Sequence, residues 1–460
     1  MKVEIPRIVI AAPGSGSGKT WITCALLESM KRSGQKVVAY KCGPDYIDPM
    51  FHEKVIGVPS HNLDLFFLRE EKLRELVAET IQDGEFAVIE GVMGLYDGLG
   101  GTSQEASTYH VAKSLNAPII LVVNAGGMGC SLVALLAGFL QYDTKHLIRG
   151  VILNRTSRAF YESIKPRIER ELPVEVIGYF PTQDELHLES RHLGLKMPGE
   201  IAELKEQLVC AADVMEQTLN LEKLRDIAGE NHGFSVALSD RKPVSGDAGA
   251  PILAVARDEA FCFYYADNLR LLEQAGLKLD FFSPLHDHCL PTGTCGILLG
   301  GGYPELKTKE LAENSAMREA IRRAIESGVP SVAECGGFLY LQELLGDEHG
   351  SLAPMVGLIS GKSVKCDRLV RFGYVEITEK TPHFLPQGQS IRGHEFHYYD
   401  SENNGADCTA VKPVGGKTWD CIHADENHWW GFPHLYYRSN PRFVQHFAGM
   451  VREYDKRTKK

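Results

Sequence analysis

RIVIAAPGSGSGKT, residues 7–20, decides the fold of the first half of the chain. Its first six residues form an apolar, β-branched run that is typical of a buried strand. A glycine-rich loop follows directly, and Lys19 and Thr20 open an amphipathic stretch that reaches residue 34. A strand, a glycine loop ending in Lys-Thr and a helix together predict a parallel α/β sheet with a phosphate-binding loop at a strand end.

The glycine loop supplies the groups that bound phosphates require. Glycines let backbone N–H groups turn toward an anion, Lys19 can neutralise the outer phosphates, and the Thr20 hydroxyl can reach Mg²⁺. The strict phosphate-loop pattern has glycine at the position where this chain has Pro13. The alternative to a phosphate-binding loop is a flexible turn that binds no ligand. We predict that ATP contacts the seven residues Gly14, Ser15, Gly16, Ser17, Gly18, Lys19 and Thr20.

Strand and helix patterns alternate along both halves of the chain, which predicts parallel sheets covered by helices. Predicted strands of the first half lie at 7–12, 36–41, 86–91, 118–125 and 150–155, and helices at 19–34 and 69–84. In the second half, strands are predicted at 251–258 and 330–337, and a helix at 317–328. We predict a nucleotide-binding domain (1–232), a linker (233–250), a second α/β domain (251–449) and a frayed basic tail (450–460).

Composition narrows the class of protein. The net charge of −11 argues against a nucleic-acid partner, because phosphate binding needs clustered cations. None of the 11 cysteines forms a CxxC pair, so neither a zinc ribbon nor a thioredoxin-type site is expected. The N-terminal apolar run is too short for a signal peptide, and no apolar stretch is long enough to span a membrane. We expect a cytoplasmic protein.

Acidic residues follow the predicted strands of the first half. Glu90 ends one strand, and Asp45 and Asp48 follow another, while Asp97 comes shortly after Glu90. Open α/β sheets place their ligands at such strand ends, and phosphate-bound Mg²⁺ takes carboxylate oxygens. The alternative for each residue is a cap or turn role.

The second half carries a candidate nucleophile in SVAECGGFLY, residues 331–340. Cys335 follows an apolar run and precedes two glycines, which predicts a thiol on a sharp strand-to-helix turn. The helix N-terminus is expected to favour the thiolate. N–H groups of Gly336 and of LLGGGYPE, residues 298–305, can hold an oxyanion.

A thiol nucleophile also needs a base, and the residues alone leave three candidates. They are His394, His397 and His434. HEFH lacks the HExxH spacing of zinc proteases, so no metal pair is expected there.

Nine motifs, taken in order, resemble the cobyrinate a,c-diamide synthase family of corrin biosynthesis. They are GSGSGKT (14–20), KCGPDYIDPMFH (41–52), NLD (62–64), EGVMGLYDG (90–98), RDEAFCFYYADNL (257–269), FFSPLHD (281–287), LLGGGYPE (298–305), AECGG (333–337) and RGHEFHYY (392–399). The resemblance implies an N-terminal P-loop domain of the dethiobiotin synthetase type and a C-terminal α/β domain of the class I glutamine amidotransferase type.

The activity that the resemblance implies is an ATP-dependent amide synthesis with glutamine as the nitrogen donor. MgATP would phosphorylate the a and c carboxylates of cobyrinate, and ammonia released from glutamine would displace the phosphate. The implied partners are the tetrapyrrole, glutamine and ATP, and a homodimer is the assembly considered.

The resemblance also implies roles for single residues. Cys335 matches the nucleophile and His434 the catalytic histidine, and Gly302 and Gly336 are the oxyanion donors that the glycine segments predict. The remaining implied roles are Mg²⁺ binding by Thr20, Asp45 and Glu90, a substrate and ATP cleft lined by Tyr46, Asp48 and Asp97, and adenine contact by Asn154. Many class I amidotransferases have a glutamate two residues after the histidine, where this chain has Tyr436, so what orients His434 is left open.

Two kinds of alternative are kept. Within the same class, a nickel-sirohydrochlorin a,c-diamide synthase or a cobyric acid synthase acts on a related macrocycle. From another class, a partitioning-type P-loop ATPase would be a nucleotide-switched binding module. Such ATPases carry an early lysine in KGGxGKT, where this chain has Gly14, and they need no Cys335.

Overall fold

A computed structural model describes residues 2–81, 86–182, 198–230, 233–237 and 249–459. The chain divides into two compact units, residues 1–240 and 241–460. This division falls inside the predicted linker at 233–250, of which residues 238–248 lie outside the described part. No helix in the described part has the length and apolarity that a bilayer crossing requires.

The first unit alternates strands and helices, as the apolar runs predict. Its strands are β1 Lys2–Val3, β2 Arg7–Ala11, β3 Val37–Cys42, β4 Ser60–Leu63, β5 Phe86–Glu90, β6 Ile119–Asn124, β7 Ile148–Asn154, β8 Glu175–Phe180 and β9 Phe234–Ser235. Its helices are α1 Lys19–Arg32, α2 Ile47–Phe51, α3 Glu70–Thr80, α4 Thr108–Leu115, α5 Ser131–Tyr142, α6 Arg158–Glu171, α7 Pro198–Thr218 and α8 Leu221–Gly229. A π-helical turn, His52–Ile56, extends α2, and Leu99–Gly101 form a 3₁₀ turn.

Seven of these strands form one parallel sheet in the order β4-β3-β5-β2-β6-β7-β8. The central strands are buried and continuously apolar, because helices cover both faces of the sheet. Since β3, β5 and β2 are neighbours, the segments that follow them emerge side by side at the carboxyl edge. Outside this sheet, β9 pairs with β1, so residues 234–235 of the predicted linker are part of the first unit.

The second unit is more varied than the sequence predicts. Its strands are β10 Ile252–Ala256, β11 Phe261–Phe263, β12 Lys278–Phe282, β13 Thr294–Leu299, β14 Gly301–Gly302, β15 Ser331–Glu334, β16 Gln342–Gly346, β17 Leu352–Pro354, β18 Ile359–Lys365, β19 Arg371–Glu379, β20 Ser390–His397, β21 Tyr399–Ser401, β22 Cys408–Val411, β23 Thr418–Cys421, β24 His423–Ala424, β25 His428–Gly431 and β26 His434–Leu435. Its helices are α9 Ala266–Gln274, α10 Thr308–Glu313, α11 Ser315–Glu326, α12 Gly336–Leu341 and α13 Arg442–Thr458, with 3₁₀ turns at Pro304–Leu306 and Tyr437–Ser439.

A six-stranded sheet in the order β12-β10-β13-β15-β25-β24 forms the centre of the described part of this unit. It is parallel except for the pair β24–β25. Leu253 and Val255 face one core cluster, and Ala254 and Ala256 face another, so apolar layers cover both sides. The α/β class predicted for this half is confirmed.

Two features differ from the sequence prediction. A five-stranded antiparallel sheet, β23-β22-β19-β20-β26, covers much of residues 371–435, which were not predicted as a sheet. The predicted frayed tail is wrong for residues 450–458, because they are the end of α13. Val451 is fully buried in the core, and its contact with Gly296 on β13 anchors the helix.

Candidate active sites

The glycine loop between β2 and α1 has the backbone of an anion cradle. Gly16 and Gly18 have φ of 76° and 94°, a region that glycine adopts without strain. Gly18 is the N-cap of α1, and no side chain caps this helix end. The N–H groups of the first helical turn are therefore available to a bound phosphate.

Lys19 is buried beside this loop and ties it to the segment after β5. Its Nζ donates to the carbonyl oxygen of Met93 at 2.6 Å and to that of Gly14 at 3.3 Å. Burial and the nearby Lys41 lower the pKa of Lys19, whereas neighbouring carboxylates, including Asp97, raise it. Both carbonyl contacts are exchangeable for phosphate oxygens, which suits a lysine that receives a nucleotide.

Asn154 supports the loop from β7. Its Nδ2 donates to the carbonyl oxygen of Ser17 at 2.8 Å, and its Oδ1 accepts from the N–H of Arg155 at 2.9 Å. A Cβ at Gly18 would lie 2.2 Å from this Nδ2, so the loop can approach Asn154 only because residue 18 is glycine. The structure thus gives Asn154 a loop-holding contact, and the adenine contact stays a prediction.

A buried ion cluster occupies the carboxyl edge of β3 and β5. Lys41 lies opposite Glu90 in the sheet register. The Nζ of Lys41 is 2.7 Å from Oε1 of Glu90 and 2.5 Å from Oδ2 of Asp48. Thr20 donates its hydroxyl to the same Oε1 at 2.6 Å, and His52 Nε2 lies 3.4 Å from Oε2. The phosphate loop is therefore joined directly to the carboxylates.

Electrostatics fixes the charges of this cluster. Burial alone would raise the pKa of Glu90, but Lys41 and His52 hold it well below its usual range. Burial alone would lower the pKa of Lys41. The neighbouring carboxylates have a larger effect, so the pKa of Lys41 lies above its ordinary value; they are Asp48, Glu90 and Asp45. Burial and the neighbouring carboxylates raise the pKa of Asp48, against the pull of Lys41. Glu90 and Lys41 are a charged pair at neutral pH.

The loop after β3 is held by its own side chains. Oδ1 of Asp45 accepts from the N–H groups of Ile47 and Asp48, at 2.8 and 3.2 Å. Asn62, of the NLD motif, donates to the carbonyl oxygens of Gly43 and Asp45. Tyr46 is the N-cap residue of α2, and on the other side Asp97 accepts from the N–H of Gly94 at 2.9 Å. The predicted Mg²⁺ and cleft residues of this unit therefore lie at one sheet edge.

Replacement of Lys41 tests the buried cluster. Lys41→Met leaves Glu90 and Asp48 as buried carboxylates without their cation, and we expect a loss of about 3–5 kcal/mol in the free energy of unfolding. Urea unfolding followed by circular dichroism measures it. Lys36→Met, at an exposed position just before the same strand, is the matched control. If both variants are as stable as the parent chain, the cluster has no such role.

In the second unit, Cys335 stands on a strained turn between β15 and α12. Its φ and ψ are 46° and −102°, a conformation that non-glycine residues rarely adopt. The N–H of Cys335 donates to the carbonyl oxygen of Gly431 at 2.9 Å, and its carbonyl oxygen accepts from Leu339. Such strain is characteristic of a nucleophile held at a sharp strand-to-helix turn.

The glycines around Cys335 allow two strand ends to touch. A Cβ at Gly336 would lie 2.9 Å from the backbone nitrogen of Gly302, and one at Gly337 would lie 2.2 Å from the carbonyl oxygen of Leu299. Because β13 and β15 are neighbours, the LLGGGYPE segment and the turn at Cys335 emerge together. The predicted oxyanion donors Gly302 and Gly336 are thereby adjacent.

His434 lies against the same glycines. A Cβ at Gly301 would be 2.2 Å from Cε1 of His434, so only glycine lets the imidazole approach this turn. His434 pairs with His394 across β20 and β26. The ring of His397 instead stacks on Phe432 with centroids 3.9 Å apart. Of the three candidate bases, His434 is the one that the structure places against Gly301.

Burial keeps both the Cys335 thiol and the His434 imidazole neutral. Burial, with Glu305, Glu395 and Glu334 nearby, raises the pKa of the Cys335 thiol well above its ordinary value. The expected stabilisation of the thiolate by the helix is outweighed, since α12 is only six residues long and the sulfur is desolvated. Burial also lowers the pKa of His434, to about 3. Thiol and imidazole are therefore both neutral, so an attack by this sulfur would require the transfer of its proton.

The backbone positions His434. Asn268 on α9 accepts from the N–H of Tyr437 at 2.8 Å and donates to the carbonyl oxygen of Leu435 at 2.7 Å. Tyr436, at the position of the orienting glutamate in many amidotransferases, directs its hydroxyl to Asp267 at 3.4 Å. The pairing of β20 with β26 and the two hydrogen bonds of Asn268 therefore hold the backbone that carries His434. The sequence alone did not predict either contact.

Sequence reasoning missed several residues of the two sites. Lys41 lies in the KCGPDYIDPMFH motif, and a lysine near the end of a buried apolar strand is itself a signal of a buried ion pair. His52 and Asn268 carry no such signal, because their partners are distant in sequence. Glu395, which is 2% exposed, was also given no role.

The fold and the two sites define a class of protein: a P-loop nucleotide-binding unit joined to a unit of the glutamine amidotransferase type. The chain matches the family described as the CobQ/CobB/MinD/ParA nucleotide binding domain over residues 8–195. Over residues 252–440 it matches the family described as the CobB/CobQ-like glutamine amidotransferase domain.

Comparison with curated proteins gives the particular family. The chain is 37% identical to cobyrinate a,c-diamide synthase of Dehalococcoides mccartyi strain 195, covering 97% of this chain and 98% of the relative. It is 38% identical to the Salmonella typhimurium protein of that name, covering 96% and 98%, and 40% identical to that of Thermoplasma volcanium, covering 86% of each. The chain belongs to the cobyrinate a,c-diamide synthase family, and the resemblance seen in its motifs is confirmed.

Proposed function

We propose that the chain converts the a and c carboxylates of cobyrinate to amides, with nitrogen from glutamine and energy from ATP, through acyl phosphates. The observation that carries this proposal is that one chain of this family holds two features. One is the strained Cys335 beside a glycine turn that His434 also contacts, and the other is a phosphate loop that carries Lys19. A partitioning-type ATPase would use the loop but would leave Cys335 without a role.

The first half-reaction primes the acid. A carboxylate oxygen of the substrate attacks the γ-phosphorus of ATP, ADP leaves, and an acyl phosphate forms. Lys19 stabilises the charge on the phosphate oxygens, and the uncapped N-terminus of α1 holds the other phosphates. Lys41 keeps Glu90 ionised and fixed beside Thr20. Phosphorylation is needed because a free carboxylate has no leaving group that ammonia can displace.

Mg²⁺ is expected to enter with the nucleotide. The oxygen donors at the sheet edge are the ligand type that this ion takes, and the Thr20 hydroxyl bonds directly to Glu90. We propose Thr20, Glu90 and Asp45 as the residues that hold it. When bound, the ion would neutralise charge on the phosphates.

The second half-reaction releases ammonia. Cys335 attacks the carboxamide carbon of glutamine as its proton passes to His434, and the N–H groups of Gly302 and Gly336 hold the oxyanion. His434 then returns the proton to the departing nitrogen, which leaves as ammonia. Water hydrolyses the glutamyl thioester, and glutamate leaves. Ammonia attacks the acyl carbon, and phosphate departs with the oxygen that came from the carboxylate.

Oxygen labelling tests the acyl phosphate. Cobyrinate carrying ¹⁸O in its carboxylates is incubated with the protein, MgATP and glutamine, and the product and the inorganic phosphate are analysed by mass spectrometry. We expect a diamide and one ¹⁸O atom in phosphate for each amide formed. Diamide formation with unlabelled phosphate would contradict the acyl-phosphate route.

A parallel incubation with nickel-sirohydrochlorin separates the two macrocycles. The relatives compared above carry the name of the corrin enzyme, so we expect cobyrinate to be the better acceptor. Amidation of the nickel macrocycle alone would overturn the proposed substrate.

The eleven cysteines all lie in the described part and are free thiols, which suits the proposed cytoplasmic location. A homodimer is the proposed assembly.

A further inference from the structure

A second group of polar side chains lies close to Cys335 and has no role in the steps above. The N–H of Cys335 donates a hydrogen bond to the carbonyl oxygen of Gly431. Phe432, which follows Gly431, stacks face to face on the ring of His397. His397 Nε2 lies 4.0 Å from Oε1 of Glu395, on the buried face of β20. Phe432 thus links this pair to the residue that holds Cys335, and Glu395 is among the carboxylates close enough to raise the pKa of the Cys335 thiol.

When Glu395 is ionised, the pair offers hydrogen-bond acceptors and no donor. Nδ1 of His397 is 2.6 Å from the carbonyl oxygen of Tyr399, so Nδ1 carries the proton and Nε2 is an acceptor. Burial lowers the pKa of His397 to about 4, which keeps the ring neutral. Within the described residues, neither Nε2 of His397 nor Oε2 of Glu395 has a hydrogen-bond partner, although both atoms are buried.

A ligand with several donors and a positive charge would satisfy these two buried acceptors and keep Glu395 ionised. Burial raises the pKa of Glu395 to about 7, because Lys412 and Arg371 only partly offset it. An ammonium group has three donors and one charge, and so it can bond both atoms at once. A carboxylate ligand would meet acceptors only and would be repelled.

We infer that Glu395 and His397 form the subsite for the α-ammonium group of the glutamine donor. This inference rests on the proposed glutaminase step at Cys335. When the carboxamide carbon of glutamine is at the sulfur, its amino nitrogen is four bonds further on, about 5 Å away. Glu395 acts electrostatically on the Cys335 thiol and adjoins His397, so this pair is where we place the amino nitrogen. The carboxylate of Glu395 binds the α-ammonium group of glutamine, and Nε2 of His397 accepts a second hydrogen bond from the same group and so orients it.

The test compares L-glutamine with glutaramate, which lacks the α-amino group. In Glu395→Gln we expect KM for L-glutamine to rise about 10- to 100-fold, because a charge-assisted hydrogen bond is lost, with kcat changed less than about threefold. Hydrolysis of glutaramate should be the same in both proteins. Glu376→Gln, on the neighbouring strand with its side chain bonded to Ser390, is the control and should change neither substrate.

Three results would overturn the subsite. One is an equal KM effect on both substrates in Glu395→Gln. Another is a fall in kcat with KM unchanged. The third is the selective effect appearing in Glu305→Gln instead, since Glu305 also has a buried, unpartnered Oε2 within the described residues.

Glu395→Asp keeps the inference testable if the glutamine variant does not fold. Aspartate keeps the negative charge on a side chain that is shorter by one methylene. We expect KM for L-glutamine to rise less than in Glu395→Gln, with hydrolysis of glutaramate unchanged. An unchanged ratio of L-glutamine to glutaramate hydrolysis in this variant would overturn the subsite. Because glutamate release is measured apart from amidation, a protein that hydrolyses glutamine but leaves cobyrinate unchanged would contradict only the proposed acceptor.

Discussion

Cys335→Ser should reduce glutamine-dependent amidation by about 10³-fold or more, while amidation with ammonium chloride continues. The serine hydroxyl is a weaker acid than the thiol, and the buried turn already raises the pKa of the group at this position. Proton transfer to a histidine whose pKa is held near 3 by burial then becomes unfavourable. Added ammonia bypasses this step, because the acyl phosphate forms in the other unit. Measuring both rates on one preparation, with cobyrinate and MgATP, checks the prediction.

Cys295→Ser is the matched control for this result. Cys295 is as buried as Cys335, but it lies on β13 and its sulfur contacts the carbonyl oxygen of Gly293. We expect both nitrogen sources to remain effective in this variant. Retention of full glutamine-dependent activity in Cys335→Ser would show that another group attacks glutamine. Loss of the ammonium-dependent rate as well would show that the cysteine supports the fold or the synthetase reaction.

Local patterns were enough to predict the nucleotide site. The strand, glycine loop and helix of residues 7–20 are contiguous, and the carboxylates at Asp45 and Glu90 follow strands whose ends meet at one edge. The ion cluster was not predictable, because Lys41 reaches Glu90 only through the adjacency of β3 and β5. Sequence spacing gives the ends of strands but not their order in the sheet.

In the second unit, the sharp turn at Cys335 was predictable and its surroundings were not. ECGG marks a turn through its own glycines, whereas the choice of His434 depends on the contact with Gly301, which lies more than a hundred residues earlier. The strand carrying Glu395 was missed for a physical reason. Its buried face holds Ile391, Gly393, Glu395 and His397, and two polar residues on that face hide the apolar alternation by which strands are recognised.

Lys19→Met should abolish amidation with either nitrogen source, by about 10³-fold or more. The substitution keeps the apolar stem but removes the charge that the phosphates require. In the free protein this amine bonds the carbonyl oxygens of Met93 and Gly14, so its loss also loosens the contact between the loop and the segment after β5. Phosphate release and amide formation, each measured with glutamine and with ammonium chloride, check the prediction.

Lys54→Met, at an exposed position of the π-helical turn, is the control for this charge and should remain active. A Lys19→Met protein that is folded by circular dichroism and still forms amides from ATP would contradict the phosphate-loop assignment. The comparison with Cys335→Ser then separates the two units, because the cysteine variant loses one nitrogen source and the lysine variant loses both. That difference is expected only if activation of the acid is required whatever the source of ammonia.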